Sequence, residues 1–137
     1  MHPPALQAIT FEGLPAHEAW LDSAAADGGR LRVVLLAQDA DAAQARLRAA
    51  APIVDALAAH RARALDWLWR AEREDADPLD PPAAFVAGFA ASDLVLSDDG
   101  GFQLHLAPRD AAWFPAGYWP CVRFSAAHAP VSWVCES

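Results

Sequence analysis

Few side chains in this sequence could do chemistry, and their spacing assembles none of them into a familiar site. Five histidines, His2, His17, His60, His105 and His128, are scattered without the close pairing that most zinc sites show. Cys121 and Cys135 could converge with His105 or His128 on a metal in the fold, but their type favours two buried thiols acting as small apolar groups. A serine nucleophile would want a G-x-S-x-G turn, and none is present. Asp99-Gly100-Gly101 joins two strand-like segments and feeds no helix, so it lacks the amides and dipole that hold phosphate. Glu72, Glu74, Asp75, Asp77 and Asp80 could bind calcium or a basic partner, yet they lack the EF-hand spacing and read as a solvated loop. No catalytic residue, metal or cofactor is expected.

The least ordinary stretch is WFPAGYWPCVRF, residues 113–124. Its glycine and first proline make 114–117 a turn, and Pro120 cannot donate to a ladder, which places the following strand at a sheet edge or a bulge. Aromatic residues around such an edge usually plug the end of a core. Here they are also the best source of a contact surface, expected from Trp113, Phe114, Tyr118, Trp119, Arg123 and Trp133. The alternative is a small enzyme whose polar groups converge only in the fold, near the C-terminal hairpins, using Tyr118, Arg123, His105 or Cys121. Trp67 and Trp69 flank Leu68 and cannot both be central in one helical stripe, so at least one belongs at the edge of the core.

These residues must be held by a chain of 137 residues, long enough for a single domain, 1–137, with a core that needs no staples. Much of its 55% apolar content is alanine, so the six tryptophans must supply much of the packing volume. A net charge of −8 opposes the basic footprint of phosphate contacts, which argues against nucleic acid. The first residues show neither a basic leader nor a long apolar run, and VVLLA is far short of a membrane helix. The expectation is a cytoplasmic protein without membrane contact, its cysteines reduced.

Residues 6–12 and 31–37 carry strand-forming types, with a weaker candidate at 19–23, and their short connections suggest an antiparallel meander. Residues 41–73 are helix formers with a stripe of Leu47, Val54, Leu57, Leu65 and Leu68. One straight helix of that extent would measure about 50 Å, against a radius of gyration of about 14 Å for such a domain. A break is therefore expected near Pro52 or in the polar stretch from His60 to Arg63. Asp80 looks like an N-cap before Pro81, opening a short helix through Phe85, Val86 and Phe89 that ends near Ser92. Next comes a hairpin across DDGG, with Leu96 facing Leu104 and Leu94 facing Leu106. The last hairpin joins 118–125 to 131–136. Symmetry about His128 would set Cys121 opposite Cys135 and Arg123 opposite Trp133, with the guanidinium over the indole. The fold class is α+β: an antiparallel sheet of about five to seven strands, with a central helical segment and a short helix packed on one side.

With the elements LRVVLLA, DWLWRAER, PPAAFVAGFAASDL and LVLSDDGGFQLHLA in this order, residues 18–137 resemble a small bacterial family, domain of unknown function 2262, and its relatives. The resemblance implies an α+β fold and a bacterial origin, and no activity. It also implies a Gly-His at the start of the penultimate strand, where this chain has Gly117-Tyr118. The functional expectation is a non-catalytic binding or interaction protein with a protein partner, of the immunity or accessory type.

Overall fold

Alternation of apolar and polar residues in the first third of the chain builds a three-stranded meander, β1 (Gln7–Phe11), β2 (Leu14–Asp22) and β3 (Arg30–Leu35). The computed structural model describes residues 5–137, so His2 lies outside the described residues. β2 is longer than the weak segment read at 19–23, because Glu12 and Gly13, both with positive φ, make a tight turn that pairs Phe11 with Leu14. The chain then forms α1 (Ala40–Asp55), α2 (Leu57–Glu72) and α3 (Ala83–Ala87). It returns as β4 (Phe89–Leu96), β5 (Phe102–Pro108), β6 (Trp119–Phe124) and β7 (Pro130–Glu136). All seven strands lie in one sheet in chain order. Every pairing is antiparallel except β3 with β4, where the helices carry the chain back across the sheet.

The α+β expectation holds, and the helical middle breaks as anticipated. The interruption falls at Ala56 (φ −101°, ψ 20°), one turn beyond Pro52, which remains inside α1. Pro52 removes a donor one turn from the helix end, where the carbonyl of Pro52 still accepts from the Ala56 amide. Leu47, Leu57, Leu65 and Leu68 are buried on the sheet, while Val54 is only half-buried and its neighbour Ile53 takes the inward position. The stretch from His60 to Arg63 is no break. His60 packs edge-on to Phe102 and Phe124 at 5.2 and 5.6 Å, and Arg61 donates to the carbonyls of Phe89 and Val86.

Three boundaries differ from expectation. Asp80 does not cap α3; its carboxylate meets the Arg70 guanidinium, and the cap position is Pro82 without a side-chain bond. The short helix ends at Ala87, and Phe89 opens β4 instead of closing a helical face, because paired strand residues bury Phe89, Ala90 and Ala91 completely or nearly so. The β4–β5 ladder sets Leu96 opposite Phe102 and Leu94 opposite Leu104, two positions from the expected register. The cause is the turn: the Asp99 carboxylate accepts from Ser97 Oγ and from the Gly101 amide, both at 2.8 Å, which centres the reversal on Asp99. A shift of two keeps every leucine on the helix side.

The β6–β7 ladder is shifted by one, with larger consequences. Cys121 lies opposite Val134, Val122 opposite Trp133, and Arg123 opposite Ser132, with an irregularity between Arg123 and Phe124 rather than at Pro120. His128, at φ 61°, completes the turn. β6 is also an interior strand rather than an edge; Pro120 lies just outside the β5–β6 ladder, so its missing donor interrupts nothing there.

The helix-covered face buries Leu31, Val33, Leu35, Leu94, Leu104, Leu106, Val122 and Phe124 against Leu47, Ile53, Leu57, Leu65 and Leu68. The other face is covered only in part, where Ile9 and Phe11 of β1 pack on Ala16, Val34 and Val95. No helix among the described residues is long and apolar enough to cross a membrane.

Candidate functional site

The end of α2, the loop 73–82, α3 and the edge strand β7 meet around a cleft of about 250 Å³. Its apolar wall is a run of rings. Trp69, Phe85 and Trp113 pack on one another with centroids 5.1–5.9 Å apart, and Phe114 stands at 90° to Trp133 at 6.1 Å. Helical spacing sends Trp69 inward, where its indole donates to the Pro78 carbonyl at 2.9 Å and fastens the loop. Trp67, two residues away, points elsewhere and is only partly buried, as its spacing required. Trp113 is 40% exposed and presents its ring at the mouth. Gly88 leaves room for it: a Cβ there would lie 3.2 Å from Trp113 Cδ1.

The polar side of the cleft is Glu72, Arg73 and Asp77. A Glu72 carboxylate oxygen accepts from the Trp133 indole at 2.7 Å. Arg73 Nη1 donates to the backbone carbonyls of Glu74 and Asp77, at 3.3 and 3.1 Å, which ties the guanidinium to its own loop. Asp77 accepts from the Glu74 amide at 2.9 Å. The acidic stretch is the solvated loop that its composition suggested, exposed throughout residues 74–80, and it is stapled to Trp69 through the Pro78 carbonyl.

Of the expected contact residues, the fold gathers Trp113, Phe114 and Trp133 here and disperses the others. Tyr118 and Trp119 border a separate hollow with Pro108, Asp110 and Pro115. Arg123 lies on the opposite face of the sheet, 3.8 Å from Asp99, and does not cover Trp133. The one-residue shift in β6–β7 is what separates them, since it turns Trp133 toward the helices. Trp69, Phe85 and Glu72 were missed as site residues; the only sequence signal for them was the tryptophan pair beside the acidic run.

The partly covered face carries a second polar arrangement. Arg32, Asp93, His105 and Cys121 are cross-strand neighbours in one row through β3, β4, β5 and β6. Arg32 bridges Glu18 and Asp93 at 2.7 and 3.4 Å, and the Arg32 contact lowers the Glu18 pKa. Cysteine beside histidine beside aspartate invites comparison with a nucleophile and its base. The protonation states argue otherwise. Burial, reinforced by Glu136, Glu12 and Asp93, pushes the Cys121 thiol up to about 12, so it carries no thiolate at neutral pH. The Trp119 indole donates to His105 Nδ1 at 2.9 Å, and burial lowers the His105 pKa. The neutral ring therefore holds its proton on Nε2, and its one lone pair is already engaged. His105 cannot take the thiol proton. Cys121 and Cys135 are both free, the first buried and the second exposed, on opposite faces of the sheet.

No group of three or more His, Cys, Asp or Glu side chains among the described residues is placed to hold a metal ion. The chain matches no family model, no curated protein and no solved structure.

Proposed function

We propose that this protein is a non-catalytic binding protein whose contact site is the cleft formed by Trp69, Phe85, Trp113, Phe114 and Trp133. The observation that carries the reading is the combination of an exposed ring, Trp113, and two partly open ones, Phe114 and Trp133, with a floor that is already satisfied: the Trp69 and Trp133 indoles have acceptors, so the wall needs no rearrangement to receive a ligand. The cleft is smaller than most sites for whole metabolites, and suits one protruding side chain of a protein partner. The protonation states of Cys121 and His105 support the non-catalytic half of the reading. The resemblance to domain of unknown function 2262 is compatible with it and contributes no activity.

The test is a fragment titration followed through the indole ¹H–¹⁵N signals of Trp113 and Trp133. A set spanning aromatic, aliphatic, cationic and anionic groups is expected to contain at least one that shifts both signals saturably, with the response lost in Trp113→Ala. If no fragment moves either signal, the cleft is only a core defect and the reading fails.

A further inference from the structure

Resting on that reading, we infer that the cleft receives a methylated ammonium group, presented on a lysine side chain of a partner protein. Three features point to a cation. Aromatic faces attract positive charge through their quadrupoles, and Trp69, Trp113, Phe114 and Trp133 line one small space. The Trp133 indole donates to a carboxylate, which pushes electron density into the ring and strengthens its attraction for a cation. Charge at the rim agrees: Glu72 and Asp77 line the cleft, Glu74 and Asp75 lie between them in the chain, and Arg73, the one cation in the lining, is tied through Nη1 to the Glu74 and Asp77 carbonyls.

The lining selects a methylated head over a bare ammonium. Six of its nine residues, Leu68, Trp69, Phe85, Trp113, Phe114 and Trp133, are apolar, so most of a head seated there meets rings and methyl groups. A bare ammonium brings three N–H donors, and only Glu72 and Asp77 offer side-chain oxygens in that lining. A methylated head has fewer donors or none, sheds water more easily, and presents methyl groups to the rings. The source of the side chain follows from the neighbouring strand. β7 is the last strand in the sheet, and its outer side pairs with no strand among the described residues. An extended segment laid along that edge would place alternate side chains on the Trp133 side, at the mouth of the cleft.

The experiment is a calorimetric and indole-NMR titration of the full chain with four probes. These are Nα-acetyl-Nε-trimethyl-lysine methylamide, its uncharged carbon isostere ending in a tert-butyl group, the unmodified lysine derivative, and choline. The trimethyl-lysine probe is expected to bind at least about fivefold more tightly than the isostere. In Glu72→Gln, which keeps an oxygen acceptor for Trp133, that preference should shrink while isostere binding is unchanged. Equal affinity for trimethyl-lysine and isostere overturns the cation and leaves the cleft reading standing. Failure of all four probes to bind overturns the methylated-ammonium assignment, and the fragment titration then decides the cleft reading separately. Unmodified lysine binding as tightly as the trimethyl form removes the requirement for methylation, and choline binding more tightly removes the assignment to a protein side chain.

Discussion

The Trp133 indole nitrogen lies 2.7 Å from Glu72 Oε1, a bond that ties the edge strand to the last turn of α2. It closes one side of the aromatic cleft at a half-exposed position, so its energetic value should sit at the lower end for a bond to a charged acceptor. Trp133→Phe is expected to cost about 1–2 kcal/mol in urea unfolding, and Glu72→Gln less, because the amide oxygen can still accept. A loss in Glu72→Gln equal to that in Trp133→Phe would show that the bond does not fasten the strand.

Gly101 approaches its neighbour too closely for any side chain. A Cβ there would lie 2.7 Å from the Phe124 carbonyl oxygen, a backbone atom held in the β5–β6 ladder. Gly101→Ala should destabilise by about 2 kcal/mol and lower the urea midpoint accordingly. Wild-type stability in this variant would mean that the β5–β6 corner yields easily.

Arg61 reaches from α2 to the Phe89 and Val86 carbonyls and holds α3 and the start of β4 in place. Replacement by alanine leaves those acceptors without their charged donor and should cost about 2–3 kcal/mol. Arg63 makes no side-chain hydrogen bond or ion pair among the described residues, and its alanine variant should change stability little. Equal losses in the two variants would remove the clamp from the account.

Cys135 is exposed and Cys121 is buried with its thiol held up to about 12. A disulfide reagent such as DTNB should therefore react promptly with Cys135 in the folded protein, and with Cys121 only on unfolding. Rapid reaction at both positions at neutral pH would contradict the buried, protonated thiol.

Acid should weaken the fold before the carboxylates titrate. His60, with burial as the main cause and His128 and Arg63 adding to it, and His105, through burial, both have pKa values below the ordinary 6.5. Between that value and the depressed folded ones the unfolded chain binds more protons, so stability falls as pH drops through this window. The urea midpoint should be lower at pH ~5.5 than at pH ~7.5, and the difference should be smaller in His60→Gln. Glu18 and Asp99, both lowered, add to the loss only further down, below their ordinary 4.5 and 3.8. A midpoint that rises on acidification would reverse the sign.

What could be read from the sequence was what depends on period and punctuation. The leucines of β4 and β5 alternate cleanly and DDGG turns the chain, so the hairpin and its inward face were legible even though the register was two positions off. The register itself depended on a side chain, Asp99, choosing its own backbone partners, which no periodicity encodes. In the last hairpin the irregularity beside Phe124 shifted the pairing by one and exchanged faces. That single step moved Trp133 from beside Arg123 into the cleft. Half of the site was therefore visible as residues 113–114 and 133, and the other half was hidden because Trp69, Phe85 and Glu72 join it only through tertiary packing.

Because each strand pairs with its neighbours in chain order, the protein divides at the loop 73–82 into two stretches whose sheet contacts are mostly local. β1 to β3 form one and β4 to β7 the other. Only the β3–β4 pairing and the packing of α1 and α2 must bring distant parts of the chain together, which makes that junction the step carrying the largest loop-closure cost. A chain cut within the loop should reassemble from its two fragments, and mixing residues 1–76 with 77–137 would show whether the halves find each other through the parallel seam and the packing of α2.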